Sequence, residues 1–269
     1  MFFVFDIGGT KMRLAVSENG NKLDRVVILP TPRKFDDAMA LVKKAVKELV
    51  NGKKIKAVSG GIAGPLNKNR TMILNAPNLR GWSKKPLAKE LQKIFKAPVY
   101  LENDAALGGL GEAVFGAGKG KKIVAYLTIS TGVGGCRIVD GKIDENSQGF
   151  EPGHQIVFFE NKITTLENMV SGTAIEKKYG KKPYEIFDAK IWDNVAKNLA
   201  YGLRNIAVLW SPDIIILGGS MMKKIGIPVE RVKFHLSKIL KIFPKTPLIK
   251  KSKLGDLAGL YGALARLNK

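Results

Sequence analysis

Short apolar runs alternate with amphipathic stretches along the first third of the chain. "FFVFDI" at 2–7 and "MRLAVS" at 12–17 flank the turn residues "GGTK", an arrangement that predicts a β-hairpin. Residues 36–50 carry apolar positions at helical spacing and predict an amphipathic helix. The other segments of this part predict strands at 25–31, 55–64 and 98–102 and a helix at 85–95.

The second part of the chain repeats this pattern. "KIVAYLTIS" at 122–130 predicts a strand, "TGVGG" a turn and "CRIVDGKI" at 136–143 a partner strand. Two strand–turn–strand units, at 2–17 and 123–139, indicate an internal duplication with one glycine turn in each half. The remaining patterns predict helices at 165–179, 189–209 and 257–267 and a buried strand at 213–219. Strands mixed with helices predict an α/β fold in which helices cover both faces of each sheet.

Length and composition are those of a soluble globular protein. The chain has 269 residues, of which 45% are hydrophobic and 25% charged, and this length predicts two lobes. No apolar run approaches the roughly 20 residues of a transmembrane helix, and "MFFVFDIGG" lacks the basic leader of a signal peptide. Cys136 is the single cysteine, which excludes internal disulfides and fits a cytoplasmic location. With two histidines besides, no cysteine-rich zinc site can form.

The formal charge of +22 admits two interpretations. Lysines are scattered along the chain, with clusters at 118–122, 177–182 and 249–253. Such clusters attract an anionic partner such as nucleic acid, nucleotide or polyphosphate, or they form a solvated surface. Apart from Tyr179, the clusters lack interleaved aromatic residues, and none contains arginine, which favours the solvated surface over nucleic-acid binding.

The stretch "DIGGTK" has the composition of a phosphate-binding turn. It places Asp6 at the end of a strand, followed by Gly8, Gly9, Thr10 and Lys11. Glycine lets backbone N–H groups approach a phosphate closely, and the Asp6 carboxylate could hold a hydrated Mg²⁺. The spacing of a Walker A loop is absent. Taken alone, the turn is equally consistent with a tight hairpin.

Two further stretches carry candidate chemistry. "STGVGG" at 130–135 repeats the Thr/Gly composition between two predicted strands, which favours phosphate binding at both turns. "LENDAA" at 101–106 places Asn103 and Asp104 where a strand opens onto a helix. Asn and Asp are favoured helix caps, so this pair either caps the helix or does chemistry.

Seven motifs in order resemble the ROK family of sugar kinases, in the actin-like (ribonuclease-H-like) ATPase superfamily. They are "DIGGTK" (6–11), "GPL" (64–66) with "APNLRGW" (76–82), "LENDAA" (101–106), "STGVGG" (130–135), "EPGH" (151–154), "TLEN" with "SG" (165–172) and "DIIILGGS" (213–220). The resemblance implies a sugar cleft between two lobes. The predicted lobes are 1–105 with 254–269, and 106–253.

The resemblance also implies roles for individual residues. Asp104 matches the general base that takes the proton of the attacking sugar hydroxyl. The matching sugar ligands are Asn78, Asn103, Glu151, His154 and Glu167. The matching nucleotide-phosphate residues are Gly8, Gly9, Thr10, Thr131 and Gly132, with Lys11 beside them, and Gly218 and Gly219 match the turn at the nucleoside. The implied cofactors are ATP and Mg²⁺, the latter bound through water to Asp6.

One departure from the family pattern concerns zinc. Many ROK members carry a cysteine-rich zinc loop after the "GH" of the fifth motif, whereas this chain has "QIVFFENKITT" there. We therefore expect no structural zinc, and the support for His154 must come from other residues.

The function implied by the resemblance is an ATP-dependent hexose kinase, glucokinase-like, that forms a sugar 6-phosphate. Polyphosphate as donor, and N-acetylmannosamine or fructose as acceptor, remain alternatives. Sugar-responsive transcription regulators share this domain, but "DIGGTK" begins at residue 6 and leaves no room for their helix-turn-helix. The expected partners are a small sugar and a nucleotide or polyphosphate, with no membrane, and a homodimer is the family expectation.

Overall fold

The structure is a computed structural model that describes residues 1–75, 79, 81–159 and 162–268. Its strands are β1 (Phe2–Ile7), β2 (Lys11–Ser17), β3 (Arg25–Pro30), β4 (Ala57–Ile62), β5 (Val99–Asn103), β6 (Ile123–Ile129), β7 (Val133–Val139), β8 (Lys142–Ile143), β9 (Ile156–Phe159), β10 (Lys162–Thr165), β11 (Ile214–Gly218) and β12 (Leu248–Lys251). Its helices are α1 (Phe35–Val50), α2 (Leu87–Phe95), α3 (Asp104–Val114), α4 (Leu166–Val170), α5 (Gly172–Tyr179), α6 (Ala189–Trp210), α7 (Val229–Ile239) and α8 (Ala258–Leu267).

The chain divides into two compact units. The first comprises Met1–Val114 and Leu257–Lys269, and the second comprises Phe115–Asp256. The lobe boundaries after residues 105 and 253 remain a prediction about domains, because compactness alone does not define a domain. No helix in the described ranges has the length and apolarity needed to cross a membrane.

The first unit is built on a five-stranded sheet in the order β3-β2-β1-β4-β5. Strands β1 to β3 form an antiparallel meander, and β4 and β5 lie parallel to β1. Strand β1 is buried almost throughout, which is why it reads as a continuous apolar run. Gly60 on β4 is required by packing, since a Cβ there would overlap the ring of Phe5 on β1.

The second unit repeats this topology. Its main sheet has the order β8-β7-β6-β11-β12, with β6 to β8 antiparallel and β11 and β12 parallel to β6. Position by position, this is the arrangement of the first sheet. The predicted internal duplication is therefore confirmed at the level of sheet topology. A separate hairpin, β9 with β10, lies in the same unit.

Two sequence predictions need correction. The predicted strand at 136–143 is a hairpin, because Asp140 and Gly141 both have positive φ, as in a tight two-residue turn, and they separate β7 from β8. The helical pattern at 165–179 is broken at Ser171, whose extended backbone ends α4. The Ser171 hydroxyl accepts the N–H of Ala174 at 3.2 Å and so begins α5.

Glycines bring helices α3 and α8 into close contact in the first unit. A Cβ at Gly111 on α3 would collide with the carbonyl oxygen of Ala258, and one at Gly262 on α8 with that of Leu107. Glycine at these two positions therefore permits the close approach of the two helices. This packing seats α8 beside the helix that begins with Asp104.

Candidate active site

Asn103 and Asp104 make different hydrogen bonds at the junction of β5 and α3. The Oδ1 atom of Asn103 accepts the N–H of Ala106 at 3.1 Å, which is the side-chain bond of a helix cap. The Oδ1 atom of Asp104 accepts the adjacent N–H of Ala105 at 2.9 Å. Capping therefore falls to Asn103, and the carboxylate of Asp104 is not needed for it.

The surroundings of Asp104 suit a proton acceptor. Burial raises the pKa of the Asp104 carboxyl above its ordinary value, and the N–H of Ala105 opposes that rise. A carboxylate with a raised pKa is a stronger base. As a residue, Asp104 is half-buried in the structure.

Glu102 is a buried carboxylate that the motif contains but sequence reasoning left without a role. Its side chain is only 6% exposed, and its Oε2 atom accepts from Arg70 Nη1 and Arg266 Nη1, each at 2.6 Å. Its Oε1 atom accepts the backbone N–H of Asn103 at 3.1 Å. Glu102 thus ties the end of β5 to α8 and to the loop that carries Arg70.

Strand register brings the first glycine turn to the edge of the sheet where Asp104 lies. Ile7 on β1 pairs with Ile62 on β4, and Ile62 pairs with Asn103 on β5. Adjacent strands lie about 4.8 Å apart, so the ends of β1 and β5 are separated by about 10 Å. The turn after β1 and the carboxylate after β5 therefore share one sheet edge.

The turn at Gly8–Thr10 presents unpaired backbone donors. Gly8 donates its N–H to Lys11 O at 3.0 Å, and Thr31 Oγ1 donates to Gly8 O at 2.7 Å. Within the described ranges, the exposed N–H groups of Gly9 and Thr10 donate to no protein acceptor. Such a turn is suited to phosphate oxygens. The side chain of Lys11 is exposed beside it.

The turn at Ser130–Gly132 in the second unit has the same design. Ser130 donates its N–H to Gly132 O at 2.8 Å and accepts the N–H of Gly172, at the start of α5, at 2.7 Å. Thr173 Oγ1 donates to Thr131 O at 2.8 Å. Among the residues that the structure describes, no acceptor meets the N–H groups of Thr131 and Gly132. Helix α5 therefore holds the turn while two donors stay free.

Gly218 and Gly219 lie at the same edge of the second sheet. Gly218 on β11 pairs with Thr128 on β6, two residues before the Ser130 turn. Gly219 has a φ of 92°, and a Cβ there would collide with Ile129 O, so glycine is required at this position. The hydroxyls of Ser130 and Ser220 lie 2.9 Å apart and join the two turns.

The "EPGH" segment forms a short 3₁₀ helix, Pro152–His154, packed on the start of β7. A Cβ at Gly153 would collide with Val133 O, and Pro152 lies against Gly135. The side chains of Glu151 and His154 are exposed. The imidazole of His154 has no hydrogen-bond partner in the described part of the chain.

Glu167 supports the second glycine turn directly. Its Oε2 atom accepts the N–H of Val133 at 2.7 Å. The same atom lies 2.5 Å from the position that a Cβ of Gly132 would occupy. Its Oε1 atom has no protein partner among the described residues. One carboxylate oxygen is thus structural and the other is open to a ligand.

Each unit gathers part of the predicted site. The first unit holds Asp6, Gly8, Gly9, Thr10, Lys11, Asn103 and Asp104. The second unit holds Thr131, Gly132, Glu151, His154, Glu167, Gly218 and Gly219. Asn78 lies outside the described residues.

The donor set fits a nucleotide better than a protein-bound metal. Four free N–H groups in two glycine turns match phosphate oxygens. In the described ranges, no three His, Cys, Asp or Glu side chains are grouped to hold a metal ion. Phosphate-bound Mg²⁺ needs only one or two carboxylates, and the Asp6 side chain, 16% exposed and 3.4 Å from Arg13 Nη1, offers one.

A cavity of about 820 Å³ adjoins the chain that follows Gly219. Phe187, Ile225 and Pro228 contribute apolar surface to it, and Lys190, Lys224 and Arg231 contribute cationic groups. Ile227 donates its N–H to Met221 O at 2.8 Å, which holds the Lys224–Pro228 side of the cavity against the short 3₁₀ helix Ser220–Met222.

Each unit contains a five-stranded sheet with the same strand order and an equivalent strand–turn–strand unit, and the fold is that of an actin-like ATPase. The sequence profile of the ROK family matches residues 3–269, and the chain belongs to that family. The Thermotoga maritima glucokinase is 28% identical, over 96% of this chain and 94% of the relative.

Solved structures agree with this assignment. The Thermus thermophilus ROK hexokinase superposes with a TM-score of 0.85 at 27% identity, covering 99% of this chain and 98% of that one. The Streptomyces griseus ROK glucokinase, solved with glucose and AMPPNP, gives a TM-score of 0.81 at 25% identity, with the same coverage. The fold and family predicted from the sequence are therefore confirmed.

Proposed function

We propose that this protein is an ATP-dependent hexose kinase, glucokinase-like, that transfers the γ-phosphate to a sugar 6-hydroxyl. The observation that carries the proposal is the Asp104 carboxylate. Asn103 caps the helix, and burial raises the pKa of the Asp104 carboxyl. Asp104 also lies at the same end of the sheet as the free backbone N–H groups of Gly9 and Thr10. A general base beside a phosphate turn is what phosphoryl transfer to a hydroxyl requires.

In the proposed reaction, the Asp104 carboxylate accepts the proton of the sugar hydroxyl. The hydroxyl oxygen forms a bond to the γ-phosphorus as the bond to the leaving β,γ-bridging oxygen breaks, and ADP departs. The proton on Asp104 then passes to solvent. Backbone N–H groups of the two glycine turns stabilise phosphate charge, and bound Mg²⁺, held through water at Asp6, would neutralise more of it.

Sugar binding is assigned to four polar side chains of the two units. Asn103 Nδ2, Glu151, His154 and Glu167 Oε1 supply donors and acceptors for hydroxyl groups. Asn78 is the remaining candidate and comes from the family resemblance alone. Correct orientation of the sugar hydroxyl accounts for a large part of the rate enhancement in such reactions.

The donor is assigned as ATP because the second unit offers room for a nucleoside. The cavity, whose wall includes Lys224 and Ile225, combines apolar and aromatic surface with lysines and the Arg231–Asp193 ion pair, and such a surface suits a base and a phosphorylated ribose. Polyphosphate is the alternative donor, since the formal charge of +22 would attract it.

A coupled assay tests the proposal. Glucose, mannose, fructose and N-acetylmannosamine are each offered with ATP and then with polyphosphate, at several salt concentrations. We expect glucose with ATP to give the highest kcat/KM. A preference for polyphosphate that falls with salt would change the donor, and absence of turnover with every sugar and donor would refute the proposal.

A further inference from the structure

The short helix that carries His154 is fastened to helix α6 by two amide side chains. Gln155 Nε2 donates to Pro152 O at 2.7 Å, across the base of the 3₁₀ turn. Asn205 Nδ2, on α6, donates to Gln155 Oε1 at 3.0 Å. Two hydrogen bonds therefore connect α6, through the side chain of Gln155, to the backbone of the turn.

The backbone of Gln155 reaches a second part of the site. Its carbonyl oxygen accepts the N–H of Leu166 at 3.1 Å. Leu166 is the first residue of α4, and Glu167 follows it. One residue therefore contacts two elements of the second unit that present candidate sugar ligands: the turn with Glu151 and His154, and the helix start with Glu167.

The segment that leads into the turn is fastened to the same helix. The ring of Phe150 meets the ring of Trp210 edge-on, with centroids 5.2 Å apart. Arg137 Nε donates to Trp210 O at 3.2 Å. The "EPGH" turn is thus held on both sides by α6, a 22-residue helix whose inner face is buried in the core of the second unit.

We propose that Gln155 and Asn205 are positioning residues for sugar binding. They hold the Glu151–His154 turn and the start of α4 at a fixed separation, so the sugar meets a preformed set of ligands. A preformed site avoids the entropic cost of ordering these groups when the ligand binds. This inference rests on the proposed function, and it identifies what supports His154 in this chain.

The test uses steady-state kinetics of Gln155→Ala and Asn205→Asp, with Gln92→Ala as control. Asp has the size of Asn but cannot donate to Gln155 Oε1, so it breaks the chain of hydrogen bonds without leaving a cavity. Gln92 is an exposed glutamine on α2. We expect both variants to raise the sugar KM about tenfold, which corresponds to the loss of one hydrogen bond, with kcat and the nucleotide KM changed less than about twofold.

A double variant and hydrogen exchange complete the test. Gln155→Ala with Asn205→Asp should be no worse than the more affected single variant, because both break one chain of bonds. Amide exchange should quicken at His154 and Leu166 in both variants and stay unchanged in α2. If the wild type is active, the inference is overturned when the variants raise the sugar KM and the nucleotide KM equally, or when they leave the sugar KM unchanged. A wild type that phosphorylates no sugar would instead refute the proposed function.

Discussion

Arg266, on the last helix of the chain, donates to the buried carboxylate of Glu102 at 2.6 Å, and also to the carbonyl oxygen of Leu101 at 3.3 Å. Glu102 stands two residues before Asp104 and binds the N–H of Asn103. The position of the proposed base therefore depends on a residue far along the chain. The close packing of α8 against α3 makes this contact possible.

We expect Arg266→Met to lower both stability and turnover. The change leaves Glu102 buried with Arg70 as its remaining cation, and loss of a partner from a buried ion pair costs up to about 3–5 kcal/mol. Looser placement of Asp104 should lower kcat about tenfold while changing the sugar KM less. Urea unfolding and steady-state kinetics measure the two effects.

The matched control for Arg266→Met is Lys93→Met. Lys93 pairs with Glu90 at 2.7 Å on an exposed face of α2 in the same unit. Surface pairs of this kind contribute about 0–1 kcal/mol, so this variant should keep both stability and kcat. Equal losses in the two variants would mean that the Glu102 pair has no special role.

Replacing Asp104 with Asn should remove the general base with little change in shape. We expect kcat to fall by about 10²–10⁴-fold while the protein still binds sugar, as calorimetric titration with glucose would report. Asp140→Asn is the control, because Asp140 is exposed in a turn with positive φ that Asn also tolerates. A kcat within tenfold of wild type would assign the base elsewhere.

The raised pKa of Asp104 also predicts how stability depends on pH. Because the folded state holds this proton more tightly than the unfolded state does, the stabilisation is present below the ordinary value of 3.8 and is lost as pH rises through the raised pKa. Above that raised pKa the wild type buries a charge that Asp104→Asn lacks. Urea unfolding at pH 8 should therefore show the variant to be at least as stable as wild type.

The comparison at low pH supplies the control for this prediction. Because the pKa of the folded carboxyl is raised, a growing share of it is protonated as pH falls toward 4, so the advantage of Asp104→Asn over wild type should shrink. A variant that is less stable at pH 8, or whose advantage grows as pH falls, would show that the carboxylate is stabilising when charged. That outcome would contradict the effect of burial on its pKa.

Local pattern predicted most of the fold because the buried strands and amphipathic helices carry strong periodicity. The hairpin at 2–17, the helix at 36–50 and the strand at 213–219 are confirmed within a few residues. The break at Asp140–Gly141 was missed, although a two-residue Asp-Gly turn is itself a hairpin signal. Helix α7 and strand β12 were not predicted.

The candidate site was predictable only as motifs. Sequence placed Asn103 and Asp104 at a strand–helix junction, but it could not decide which of them caps the helix, since both residue types do so. Glu102 with Arg266, and Gln155 with Asn205, are joined by contacts far apart in the chain. No local pattern encodes such pairs, because only the tertiary fold brings them within reach.

Gly219→Ala should weaken nucleotide binding selectively. The added Cβ meets Ile129 O in a backbone region with a φ of 92°, so the turn beside Ser130 must shift. We expect the nucleotide KM to rise at least tenfold and the sugar KM to change less than twofold. Gly120→Ala is the matched control, because Gly120 has a φ of 79° with open space around its missing Cβ. Gly120→Ala introduces the strain of a positive φ, about 1 kcal/mol, but its Cβ collides with no neighbouring atom. Equal KM changes in the two variants would show that strain alone, and not the shape of the turn, sets nucleotide affinity.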